Sequence, residues 1–153
     1  AEADTEEQLR AQLKRLLESQ KMTEQEAECI RIRDIRRFVE SGLGQRMKKA
    51  AMKKHLYREQ PFVIQRSASM LDDGWKNETV LVQGIIDAYF MEGDEIVLVD
   101  YKTDRVKRGQ EQKLIDLYHV QLEDYARALE RMTGKRVKEK IIYSFTLQKE
   151  ILL

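Results

Sequence analysis

The sequence predicts an α/β domain: a mixed β-sheet flanked by helices, with an N-terminal helical segment ahead of it. Three observations carry that expectation. Apolar residues recur at helical spacing over the first fifty-odd positions. From Tyr57 the period shortens from about 3.6 to 2. A second amphipathic helix is then enclosed between two strands.

Residues 1–20 place Leu9, Leu13, Leu16 and Leu17 three and four apart, with acidic residues early and basic ones later, as the helix dipole favours. Thr23 and Glu26 form a T-x-x-E capping box that opens a second helix through Ile30, Ile32, Ile35, Phe38 and Val39, with Gly42 as its stop. Residues 43–54 form a short basic amphipathic segment. The first strand is expected over residues 59–65, with Pro61 near its start marking an edge position. Residues 67–79 are polar, with Asp72-Asp73-Gly74, and read as a loop. The clearest strands are residues 80–91 (VLVQGIIDAYFM) and 95–103 (EIVLVDYKT). A charged loop over 104–112 leads to a helix over 114–132 closed by Gly134, and residues 138–147 form the last strand. The first pair is an antiparallel hairpin, whereas the strand–helix–strand unit is a crossover that returns parallel. Residues 1–55 are therefore expected as a helical segment packed on a core of residues 56–153.

Composition bounds the function. The 153 residues carry 28 Lys and Arg against 27 Asp and Glu, a net charge of +1, so any surface for a polyanion must be local. One proline and seven glycines exclude a collagenous or proline-rich chain. The single cysteine, Cys29, excludes an internal disulfide framework, a CxxC zinc site and a self-contained iron–sulfur cluster; it reads as a small buried residue. No apolar run approaches the roughly 18 residues of a membrane span, so no membrane partner and a cytoplasmic, reducing setting are expected. The first residue is alanine, as expected of a piece from a longer chain.

The hairpin between residues 80–91 and 95–103 fixes a register with chemical consequences. With Gly93-Asp94 as a two-residue turn, Glu92 faces Glu95 and Asp87 lies opposite Asp100 on one sheet face. Their Cβ atoms would then be about 4.5–5.5 Å apart. Lys102, two residues beyond Asp100, points the same way. A three-residue loop would instead set Asp87 against Val99. Facing carboxylates on strongly apolar strands repel, and a divalent cation with hard oxygen ligands would neutralise them. The adjacent ammonium suits a developing phosphorane or an attacking water. Gly84 would let a backbone come close. Gln121 and Tyr125 share a helix face and could offer an amide and a phenol to that site, although Tyr125 also sits on a packing stripe with Tyr118, Leu122 and Leu129. His55 and His119 have no metal-spaced partner. Basic clusters at Lys48-Lys49, Lys53-Lys54 and Arg105-Lys107-Arg108 fit either a solvated surface or a polyanionic ligand. Neither a G-x-x-x-x-G-K-[ST] loop nor a Ser or Cys nucleophile constellation is present.

Taken in order, VQGIID, VLVDYKTD and YHVQLEDYARALE resemble the motif series of the RecB-type branch of the PD-(D/E)xK nuclease superfamily. The likeness covers roughly residues 58–145. Within the branch it is to the C-terminal nuclease domains of the A-type chains of bacterial ATP-dependent helicase/nucleases. It implies a restriction-endonuclease-like fold and a Mg²⁺-dependent deoxyribonuclease, an exonuclease of double-strand-break processing and recombinational repair, with Mn²⁺ as a substitute. By position, Asp87 and Asp100 match the metal-binding carboxylates, completed by the Tyr101 backbone carbonyl, and Lys102 matches the catalytic lysine. Gln121 and Tyr125 match the Q-x-x-x-Y pair that supports the site and the DNA. Glu59, in E-x-P-F, falls where the family often carries a glutamate. The implied partners are DNA and a second helicase–nuclease subunit, with ATP used only through a helicase region outside this chain. Two departures stand out. No G-T-x-x-H-like histidine precedes Glu59, which leaves open a catalytically incomplete fragment acting as a DNA-binding or subunit-docking module. The four cluster-binding cysteines of some relatives are also missing, as expected for a chain of the A type without an iron–sulfur cluster.

Overall fold

A computed structural model describes residues 2–18, 33–67 and 78–153. The Thr23–Glu26 capping box, Cys29 and the Asp72-Asp73-Gly74 segment lie outside the described residues. Helix α1 spans Glu2–Glu18, residues 33–40 are helical (α2), and α3 spans Gly42–Met52. Strands β1 (Leu56–Ser67), β2 (Thr79–Glu92) and β3 (Glu95–Lys102) follow, then α4 (Glu111–Thr133), β4 (Val137–Ser144) and β5 (Lys149–Leu152). Among the described residues, no helix is long and apolar enough to cross a membrane.

The five strands lie in sequence order in one mixed sheet. β1–β2 and β2–β3 are antiparallel, β3–β4 is the expected parallel return, and β5 runs back along β4. Central β3 is buried along nearly its whole length, as a strand covered on both faces should be. One face packs Ala88, Phe90, Val97, Val99, Tyr101 and Tyr143 against Leu9, Leu13, Phe38, Leu43 and Met47 of the three leading helices. The other packs Ile86, Leu98 and Ile142 against Leu114, Leu122, Tyr125 and Leu129 of α4.

Three expectations are corrected. Gly42 does not end a structured segment. Ser41 instead accepts from the Gly44 amide and caps α3, so the basic stretch of residues 43–54 is a true helix with a buried face. The α2–α3 corner is tight enough that a Cβ on Gly44 would lie 2.1 Å from the Phe38 carbonyl oxygen. The last strand does not run to Leu147. Chain direction reverses after Ser144 through a turn in which Gln148 adopts φ 52°, and a fifth, edge strand follows. The first strand is longer than residues 59–65, although Pro61 does lie on an edge strand.

β1 and β2 change faces in mid-course. Leu56 packs on the helical side while Phe62 packs on the α4 side; Ala88 and Phe90 face the helices while Ile86 faces α4. In a regular strand residues two apart share a face, so both strands must be broken between these positions. The break lies at Glu59, whose φ is 51°, between the paired residues Arg58 and Gln60. On the facing strand, Asp87 occupies the corresponding step. There β2 also leaves β3, whose ladder with it ends at Ala88–Val99.

At the opposite end, Arg46 of α3 ties the layers together. Its guanidinium donates to Glu92 at 2.9 and 2.7 Å and to Glu139 at 2.8 Å, and lies 5.6 Å from the Phe90 ring centroid. Lys138 adds a second ion pair to Glu92 at 3.1 Å. Hydrogen bonding from Arg46 lowers the Glu92 carboxyl from 4.5 to about 2. A depressed carboxyl contributes stability above its unfolded value and loses it as pH falls through the folded one. Arg46→Met should therefore cost roughly 1–2 kcal/mol at neutral pH, in line with partly exposed charge-assisted hydrogen bonds. Thermal melts at pH 7 and pH 3 check this: the deficit should shrink at the lower pH, and an equal deficit at both would contradict it.

Candidate active site

The hairpin turn is the two-residue one: Gly93 takes φ 62° and Glu92 pairs with Glu95. Continued one step past Ala88–Val99, this register sets Asp87 opposite Asp100, where the strands part. Asp87 fills the gap. Its Oδ2 accepts from the Tyr101 amide at 2.9 Å, a side chain standing in for the lost ladder partner. In an extended strand the N–H and C=O of one residue point to the same edge, so the Tyr101 carbonyl also faces the opening. From α1, the buried Gln12 side chain donates to the Asp87 carbonyl oxygen at 2.8 Å and holds β2 at this point.

The two carboxylates are poorly compensated. Asp100 is 3% exposed, and its Oδ2 has no hydrogen-bond donor. Lys102 Nζ lies 2.9 Å from that oxygen but out of line, so it supplies charge without a directed bond. Burial first, and then the Asp100 charge, raise the Asp87 carboxyl well above the usual carboxylate range, against the Tyr101 amide and Lys102, which lower it. Two acceptor-only groups thus meet in a low-dielectric pocket with one ammonium between them and solvent.

The surrounding cavity, about 510 Å³, is lined by Asp87, Asp100, Tyr101, Lys102, Thr103, Asp104, Tyr118 and Tyr125. Gln121 Oε1 accepts from Lys102 Nζ at 2.9 Å. Tyr125 packs edge-on against Phe62 at 5.0 Å while lining the cavity, so packing and site duties coincide. Burial, then the charges of Asp100 and Asp87, push its phenol up to about 12. Tyr118 and Asp104, which the sequence pattern assigns to a packing stripe and a loop, also belong here: Tyr118 is three residues before Gln121 and Asp104 two after Lys102, spacings that bring them to the same place.

Other candidates lie elsewhere. Glu59 turns outward to an ion pair with Arg15 at 3.0 Å, 53% exposed. Gly84 faces Phe62 across the β1–β2 pair, and a Cβ there would come within 3.0 Å of the ring. Its neighbour is therefore an aromatic side chain rather than a ligand or another backbone. His119 caps carbonyls of its own helix, and His55 lies near the β2–β3 turn, where its carbonyl oxygen accepts from the Met91 amide. Arg105, Lys107 and Arg108 are exposed on the loop leaving Lys102.

The donor set suits a hard divalent cation. Two carboxylates converge, one buried oxygen lacks a donor, and a carbonyl faces the same opening. Among the described residues no three His, Cys, Asp or Glu side chains gather, so the arrangement matches Mg²⁺, which binds through one or two carboxylates and keeps several waters, better than an all-protein cage.

The Asp87 environment makes a signed prediction. A raised carboxyl binds protons in the folded state that the unfolded chain has released, so metal-free stability falls as pH rises between the two values. Asp87→Asn keeps an acceptor for the Tyr101 amide and removes the ionisation. In EDTA it should melt a few degrees above the wild type at pH 8, of order 2–4 °C per kcal/mol, with the gap closing towards pH 4. A variant no more stable at pH 8 than at pH 4, relative to wild type, would contradict the strained pair.

Comparison with known proteins places this geometry. The family model described as the PD-(D/E)XK nuclease superfamily matches residues 1–151. Curated relatives, each named as the A component of an ATP-dependent helicase/nuclease, include that of Clostridium novyi, 39% identical over 150 residues (95% of this chain, 12% of the relative), and that of Acetivibrio thermocellus, 44% over 144 residues (91% and 11%). That of a Thermoanaerobacter species is 41% identical over 141 residues (90% and 11%). The chain thus spans about one-eighth of the length of the relatives it matches. With its mixed sheet between helical layers, this chain belongs to the PD-(D/E)XK nuclease superfamily.

Proposed function

We propose that the chain is the nuclease domain of a helicase–nuclease, hydrolysing phosphodiester bonds of DNA with Mg²⁺, for which Mn²⁺ can substitute. The observation that carries this is the convergence of Asp87 and Asp100, buried and undercompensated, with Lys102 beside them. Asp87, Asp100 and the Tyr101 carbonyl would hold the ion. When bound, it supplies Lewis-acid polarisation of the scissile phosphate and acidifies water.

The chain's own residues do the rest. Lys102 Nζ presents a fixed ammonium at the cavity, where it orients the attacking water and offsets charge developing on the phosphoryl oxygens. Gln121 holds that ammonium through Oε1, and Tyr125 offers a neutral phenol to the substrate. The exposed basic loop at Arg105, Lys107 and Arg108 lies where a polyanionic backbone would pass. Glu59 and Gly84 are left to Arg15 and Phe62, without a part in the chemistry. The names of the relatives support an exonuclease of double-strand-break processing and recombinational repair, driven by ATP through a helicase region and working with a second subunit.

A second possibility has its own observation: no histidine joins the two carboxylates among the described residues. The chain alone would then bind DNA or dock a subunit without cleaving. Titration calorimetry with Mn²⁺ separates the two. Binding that disappears in Asp87→Ala supports the enzyme; no binding by the wild type supports the module. In the full gene product, Asp100→Ala should abolish Mg²⁺-dependent cleavage, a loss of at least about 100-fold for a removed electrostatic group, while circular dichroism stays unchanged. Retained cleavage would remove Asp100 from its role.

A further inference from the structure

Lys102 is surrounded by more than the two groups its motif supplies. Its Nζ lies 3.9 Å from the centroid of the Tyr118 ring, in addition to Asp100 Oδ2 and Gln121 Oε1, each at 2.9 Å. A lysine is a point charge on a flexible four-carbon stem, and neither oxygen by itself stops the stem from swinging outwards. An aromatic face does, because it attracts the cation over a broad area and blocks the path to solvent.

The ring itself is anchored. Tyr118 Oη donates to Asp104 Oδ2 at 2.6 Å. Thr146, in the turn between β4 and β5, donates from its hydroxyl to the Asp104 and Thr103 carbonyl oxygens at 2.7 and 3.3 Å and pins the loop that carries Asp104. Burial, followed by the Asp104 contact, raises the Tyr118 phenol to about 12, so it remains a donor. The chain of contacts therefore runs from the β4–β5 turn through the loop after β3 to α4, and ends on the ammonium. It also occupies one oxygen of a carboxylate two residues from Lys102, an acceptor that would otherwise compete for that ammonium.

We infer that Tyr118, anchored by Asp104, is a positioning residue whose ring face fixes the Lys102 ammonium over the Asp87–Asp100 pair. The inference rests on the nuclease function proposed above. It assigns the work to the ring face rather than to the hydroxyl, which only holds the ring in place.

The test is steady-state Mg²⁺-dependent DNA cleavage by the full gene product carrying Tyr118→Leu or Tyr118→Phe, beside calorimetry with Mn²⁺ and the proton NMR spectrum of the wild-type domain. Tyr118→Leu should lower kcat about tenfold, the scale of one cation–π contact, with KM and manganese affinity within about twofold of wild type. Tyr118→Phe should restore kcat to within about threefold. In the wild type the Lys102 ε-methylene protons should be shifted upfield by the ring, a readout that needs neither activity nor a folded variant. Unshifted protons, a Tyr118→Leu enzyme with full kcat, or a Tyr118→Phe enzyme as impaired as Tyr118→Leu would each overturn the inference while leaving the nuclease function in place. A wild-type polypeptide that does not cleave removes the nuclease function and this inference with it.

Discussion

The contact between the Asp87 and Asp100 carboxylates is the constraint around which the sheet is arranged. In water two such groups repel by about 1 kcal/mol at 4 Å, and the repulsion grows steeply as the surroundings become less polar. Here one partner is nearly inaccessible and the other is held by a backbone amide. A fold built only for stability would replace one of them with an apolar or amide side chain. Instead the structure surrounds the pair with partial remedies: the Tyr101 amide, the Lys102 ammonium and, behind that, Gln121 and Tyr118. None neutralises both oxygens at once, and a divalent cation would.

The irregularities of the sheet follow from placing that pair. Asp87 can reach the Tyr101 amide only because β2 has already left β3, and β2 leaves where it and β1 change faces. Glu59 absorbs the change in a left-handed backbone conformation that costs a non-glycine residue of order 1–3 kcal/mol. The two halves of the β1–β2 hairpin consequently serve different layers. The half near the β2–β3 turn backs onto the leading helices, and the far half, with Phe62 and Ile64, closes against α4 and brings Tyr125 to the cavity edge. Gln12, reaching from α1 to the Asp87 carbonyl, fixes the junction from the other side.

Much of this was legible in the sequence because it is local. A two-residue Gly-Asp turn sets the register of a whole hairpin, and register decides which residues face each other, so Asp87 and Asp100 could be paired from the turn alone. The spacings Asp100 to Lys102 and Gln121 to Tyr125 carry their geometry in the periods of strand and helix. What escaped was non-local or required an exception to a period. Neither the left-handed Glu59 nor the face change at Asp87 has a signature in residue type, since glutamate is an ordinary extended residue. The fifth strand, four residues at an edge, is too short to show a period. Gln12 meets β2 across 75 positions, and no pattern announces such a contact. Tyr118 was visible but indistinguishable from its packing stripe, because an aromatic under a cation and an aromatic in a core look alike until the cation is placed.

The most direct measurement is anomalous diffraction from crystals of the domain grown with Mn²⁺ at pH 8. A cation shared by the pair should give a manganese peak within about 2.0–2.6 Å of one oxygen each from Asp87 and Asp100. Carboxylates turned away from one another with no manganese between them, or an ion bound elsewhere on the sheet, would contradict the central claim that this buried acidic pair is a metal site.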